Sequence, residues 1–73
     1  ELIFMTIEEL LKRLEHEREL EYMFSFRYGA EAQNAMLDDN DEDRIFYERL
    51  HDKSNENVKR LGITIEEIKK RVS

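Results

Sequence analysis

The chain contains no cysteine and no proline, and it has only two glycines in 73 residues. Without cysteine it can form neither a disulfide framework nor a thiolate metal site, and a cytoplasmic location is expected because structural disulfides belong to oxidising compartments. Without proline, and with Gly29 and Gly62 as the only strong helix breakers, long helices are free to form. No apolar run approaches the roughly 20 residues of a membrane span, so we expect no membrane partner.

Charged residues make up 41% of the chain, and its formal net charge is −6. This composition is typical of long solvated helices, and the acidic balance argues against a nucleic-acid partner, which would require clustered Lys and Arg. A chain of this length forms one domain and buries only about 60% of the surface that it exposes when unfolded. Because such a small core gives limited stability, association with a second copy or another protein is expected.

One short stretch occurs twice, as "TIEELLKRL" at 6–14 and "TIEEIKKRV" at 64–72. In both copies a threonine is followed three residues later by a glutamate, which is the capping-box arrangement of a helix start. The identical positions are explained by the requirements of a helix start, and we prefer this interpretation to a duplicated binding motif. The sequence therefore predicts helix N-termini at Thr6 and Thr64.

The periodicity of the apolar residues predicts an all-α fold, with a helix over 6–37, a turn over 38–41 and a second helix over 42–61. Gly62 is predicted to end the second helix, and a short third helix follows over 65–72. A short turn between long helices makes them antiparallel neighbours, so the expected architecture is a helical hairpin that associates into a dimeric bundle. An alternative is that Gly29 breaks the first helix. Residues 1–5 are expected to be disordered or extraneous to the natural chain.

A weak metal-site signal comes from Glu48 and His51, which form an E-x-x-H pair on one helix face. Carboxylate-bridged di-iron sites in four-helix bundles use this spacing. A complete site would have to assemble in a dimer, with Glu17 and Glu21 of the first helix as further ligands. Because E-x-x-H arises easily by chance in a chain rich in glutamate, we prefer to interpret His51 as a surface residue and expect no cofactor.

The segment "LEYMFSFRYGA" at 20–30 is apolar on nearly all sides, which one partner helix cannot cover. The segment and the residues after it therefore predict an interface, either with a second copy of the chain or with another protein. This interface is formed by Leu20, Met23, Phe24, Phe26, Ala30 and Leu37. An alternative is that the short third helix, or a broken first helix, folds over this surface.

The sequence lacks a glycine-rich phosphate loop and any serine beside an activating His and Asp, so we do not expect an enzyme. We expect a small acidic module for protein–protein interaction that regulates or inhibits a larger partner, as a homodimer. One alternative is a carboxylate and histidine metal site of the ferritin-like type, assembled in an oligomer. Another is an inhibitor of a DNA-binding protein in which the acidic run at 38–43 imitates nucleic-acid phosphates.

Overall fold

The computed structural model describes residues 6–72, which form an antiparallel hairpin of two long α-helices packed along each other. Helix α1 spans Ile7–Leu37 and helix α2 spans Asp41–Val72, and the described residues include no strand. The predicted all-α hairpin is therefore confirmed. The prediction for residues 1–5 lies outside the described part of the chain.

The start of α1 is capped as predicted. Thr6 is the N-cap residue, and its Oγ1 accepts a hydrogen bond of 3.1 Å from the backbone N–H of Glu9. The Thr6 hydroxyl in turn donates to Glu9 Oε1 at 3.1 Å, so the carboxylate contacts the capping side chain rather than its backbone amide. These bonds satisfy one of the amides that a helix start leaves without a partner.

The turn between the helices follows a Schellman motif. Asp39 has a φ of 55°, and the next residue, Asn40, donates its N–H to Ala35 O at 2.8 Å. The N–H of Asp39 donates to Met36 O at 3.2 Å, which completes the bonding pattern of this helix end. The Asn40 side chain then caps α2 by accepting from the N–H of Asp43 at 3.1 Å. One turn thus ends the first helix and starts the second.

Helix α2 differs from the prediction, because it continues without a break through Gly62 and Thr64. The predicted helix of 42–61 is therefore extended, and the separate helix over 65–72 and the cap at Thr64 were wrong. No described glycine has the positive φ that a helix-ending glycine adopts. Ile65, the residue after Thr64, is fully buried. A continuous helix therefore keeps the most buried side chain of the hairpin packed against α1.

The two helices meet along a seam whose residues are spaced alternately three and four apart, the repeat of a coiled coil. On α1 the seam residues, each buried or half-buried, are Leu11, Leu14, Arg18, Glu21, Ser25, Tyr28, Ala32 and Ala35. On α2 they are Arg44, Tyr47, His51, Ser54, Val58, Leu61, Ile65 and Ile68. The buried apolar core consists of Ala32, Ala35, Val58 and Ile65. This is a small core for two helices of this length.

Gly29 lies inside α1 and does not break it. It faces the ring of His51 on α2, and a Cβ placed on Gly29 would lie 3.2 Å from His51 Cδ2. The absence of a side chain at Gly29 therefore makes room for the imidazole in the seam.

Candidate interaction surfaces

Polar side chains occupy the middle of the seam, where a hairpin core is usually apolar. Ser25 and Ser54 are both buried, and the Ser25 hydroxyl donates a short hydrogen bond to Asn55 Oδ1 across the helices. One helical turn farther from the connecting turn, Asn57 Nδ2 donates to Glu21 Oε2 at 3.1 Å. The first bond satisfies the buried Ser25 hydroxyl, but these polar contacts bury little apolar area, so the middle of the hairpin contributes little hydrophobic stabilisation.

Two grooves run along opposite sides of the seam. We call the first side the Phe24 face; its groove is lined by Glu17, Leu20, Glu21 and Phe24 of α1 and by Asn57, Arg60, Leu61 and Thr64 of α2. We call the second side the Phe26 face; its groove is lined by Ser25, Phe26, Gly29, Ala30, Gln33 and His51. Phe24 and Phe26 are about 200° apart around α1, which is why they lie on different sides of the hairpin.

All six residues of the predicted interface are exposed, but they do not form a single patch. Leu20 and Phe24 belong to the Phe24 face, whereas Phe26 and Ala30 belong to the Phe26 face. Met23 and Leu37 lie seven residues before and after Ala30 and so share its line along the helix, facing away from α2. The exposed fractions are 65% for Met23, 80% for Phe26 and 72% for Leu37. The predicted interface is thus divided between the two faces and the outer line of α1.

The Phe24 face also includes apolar residues of α2 that the sequence interpretation did not assign to a surface. Leu50 precedes Asn57 by seven residues, and Phe46 precedes Arg60 by fourteen. They therefore lie on the same side of α2 as those two groove residues. Phe46 is 56% exposed, with its ring centroid 5.2 Å from that of Tyr47. The signal that would have found these residues is the alternation of three and four in α2.

The candidate metal ligands do not converge within one chain. Glu48 is held by Arg44, whose Nη1 lies 2.6 Å from Glu48 Oε1, and this hydrogen bond and the charge of Glu48 raise the pKa of Arg44 above its usual value. Since His51 stands opposite Gly29, it lies about 12 Å along the helix axis from Glu21. No group of three or more potential ligands is assembled among residues 6–72.

Glu17 and Glu21 occur on the Phe24 face and not beside His51. Both carboxylates line its groove, and Glu21 accepts the hydrogen bond from Asn57. Their position predicts a role at a polar edge of this groove rather than in a cluster with Glu48.

The acidic run at the hairpin turn is used partly for local structure. Asp43 Oδ2 accepts from Asn40 Nδ2 at 2.9 Å, which reinforces the cap of α2. Asp41 lies 3.7 Å from Arg44 in an exposed ion pair. Acidic residues in the first turn of α2 also interact favourably with the helix dipole.

No helix within residues 6–72 has an apolar stretch that could cross a membrane. The chain matches no protein family, no curated protein and no solved structure. Its function must therefore be argued from the surfaces described above.

Proposed function

We propose that this protein is a small acidic helical module for protein–protein interaction, which acts as a homodimer and regulates or inhibits a larger partner. The observation that carries the proposal is the difference between the outer sides of the two helices. The outer side of α1 presents Met23, Phe26 and Leu37 to solvent. The exposed positions in the middle of α2, residues 49–60, are mostly charged, namely Arg49, Asp52, Lys53, Glu56, Lys59 and Arg60. The exposed apolar residues Ile45, Phe46 and Ile63 of α2 lie outside this stretch.

An intramolecular role does not account for the exposed apolar side chains of α1. The second helix is already packed on the seam side, and α2 continues straight to Val72 instead of folding a third helix over α1. Full burial of one large apolar side chain contributes about 1.5–3 kcal/mol. Met23, Phe24 and Phe26 are only partly exposed, at 65%, 49% and 80%, so covering all three would contribute about 3–6 kcal/mol before the cost of association.

The residue types also support an interface. The middle of α1 is rich in aromatic and methionine side chains, which are enriched at protein–protein interfaces, and Phe24 stacks on Tyr28 with centroids 6.3 Å apart. Large exposed apolar areas on small proteins usually mark surfaces at which another molecule binds.

The proposal is tested by the mass of the purified protein in solution, measured by light scattering over a wide range of concentration. We expect a dimer without added metal ions. Phe26→Asp should weaken self-association if the dimer uses the Phe26 side of α1, and partner binding if the dimer uses another face, while circular dichroism remains helical. The matched control is His16→Asp, which adds the same charge on the exposed outer side of α1 without removing an apolar side chain.

Two outcomes would reject the proposal. One is a monomer at every concentration that also binds no partner. The other is loss of helix together with association in Phe26→Asp, which would place Phe26 in the core of the monomer. Assembly only on addition of iron, manganese or calcium would instead favour the metal-site alternative.

A further inference from the structure

Both helices contribute apolar residues to the Phe24 face. Leu20 and Phe24 project from α1, while Leu61 lines the groove from α2 and Leu50 and Phe46 extend the face towards the turn. A face built from two helices can pack on two further helices, as in a four-helix bundle. The outer side of α1 can contact only a single element.

The exposed area of the chain is large enough for such a contact. The chain exposes 6312 Å², whereas a compact monomer of 8.9 kDa exposes about 4,800 Å². The excess of about 1,500 Å² is greater than the roughly 800 Å² that each partner loses in an interface of ordinary size. A contact of ordinary size with a second hairpin on the Phe24 face would therefore cover about half of this excess.

The charge distribution selects the orientation of this second copy. Five carboxylates lie at the turn, namely Asp38, Asp39, Asp41, Glu42 and Asp43, and the last turn of α2 carries Lys69, Lys70 and Arg71. The 31 residues of α1 place the two ends of the hairpin about 46 Å apart. Turns at the same end of a dimer would bring ten carboxylates together, whereas turns at opposite ends bring each acidic turn close to the basic end of the other α2.

We infer that a second copy of this chain packs on the Phe24 face with its turn at the opposite end, forming an antiparallel four-helix bundle with twofold symmetry. This inference rests on the proposed function, because it assigns one of the two apolar faces to the dimer. In a twofold arrangement of this kind α1 packs on α1 and α2 packs on α2, each pair antiparallel. Leu20 and Phe24, close to the middle of α1, then lie near the twofold axis.

Glu17 and Arg60 line this groove from different helices, and Arg60 pairs with the exposed Glu56 at 2.9 Å. The Phe26 face and the outer line of α1 stay open for a partner.

The absence of cysteine makes a direct test possible, because a single introduced cysteine is the only thiol in the chain. The variants are Leu20→Cys and Phe24→Cys at the centre of the Phe24 face, Phe46→Cys near its turn end, and Met23→Cys on the outer line. Each is equilibrated in a glutathione redox buffer, and the fraction of disulfide-linked dimer is measured. A disulfide requires Cα atoms within about 7 Å of each other.

We expect linked dimers for Leu20→Cys or Phe24→Cys and none for Phe46→Cys or Met23→Cys. Since His51 stands opposite Gly29, Phe46 stands opposite about Asn34, roughly 15 Å from the level of Phe24. The two Phe46 positions of the antiparallel dimer would then be about 30 Å apart. Linked dimers of Phe46→Cys would overturn the orientation, and linked dimers of Met23→Cys would place the second copy on the outer side of α1.

A second measurement does not depend on cysteine variants. Phe24→Asp should convert the dimer into a helical monomer, whereas Phe26→Asp should leave the dimer intact. The opposite result would overturn the assignment of the Phe24 face while leaving a homodimeric interaction module in place. A wild-type chain that stays monomeric would instead reject the homodimer of the proposed function itself.

Discussion

Replacing Gly62 by alanine should stabilise the hairpin, because Gly62 lies within α2 in an ordinary helical conformation. A Cβ added there would have Arg18 Nη1 as its nearest neighbour, at 3.8 Å, which is a normal van der Waals contact with a flexible side chain. Glycine in a helix interior costs about 1 kcal/mol relative to alanine. The free energy of unfolding of Gly62→Ala should therefore rise by about 1 kcal/mol.

The sign of this change distinguishes two structures of the C-terminal part. If Gly62 ended a helix in the left-handed region, alanine would cost about 1–2 kcal/mol instead. The assay is urea unfolding followed by circular dichroism, at one fixed protein concentration because self-association adds to the measured stability. We expect a higher midpoint with an unchanged slope, and a melting temperature raised by about 4–8 °C.

The matched control is Gly29→Ala, the same substitution in the middle of α1. Its Cβ would lie 3.2 Å from His51 Cδ2, so the imidazole has to move, and the gain should be smaller than for Gly62→Ala. An unchanged or lower midpoint for Gly62→Ala would refute the continuous helix and restore the helix end first predicted at this glycine.

Three further substitutions test the ends of the helices. Thr6→Ala should lower the free energy of unfolding by about 1 kcal/mol, because it removes the cap of α1. Thr64→Ala should be neutral or stabilising by up to about 0.7 kcal/mol, as for an exposed position inside a helix. Equal losses of stability in urea unfolding would contradict this difference. Asp39→Gly should stabilise the hairpin by up to about 1 kcal/mol, because it relieves a φ of 55° and removes a negative charge from the C-terminus of α1. A lower melting temperature for Asp39→Gly would mean that the Asp39 side chain supports the turn.

The periodicity of the apolar residues predicted one part of the interface correctly and left another part undecided. That Met23, Phe24 and Phe26 cannot all face one partner helix follows from their spacing alone, and the structure places all three at the surface. Their division between two faces could not be predicted, because it depends on which line of α1 contacts α2.

The polar contacts across the middle of the seam were also beyond sequence analysis. A search for apolar periodicity selects leucine, isoleucine and aromatic positions, whereas the structure places Ser25 and Ser54 at buried positions between the helices. Ser25 is satisfied by Asn55, thirty residues away in the chain. Such a partner becomes visible only when the two helices are placed together.

The sequence by itself determined the features that depend on neighbours a few residues away. The helical periodicity, the cap at Thr6 and the turn before α2 involve bonds between residues three to five positions apart, so local chemistry is sufficient to predict them. Only the tertiary structure decided whether the second capping sequence, at Thr64, starts a new helix or lies inside α2. At Thr64 the same residues lie inside a helix, because α2 packs along α1 and buries Ile65 completely, and this burial outweighs the weak preference of a glycine and a threonine for a helix boundary.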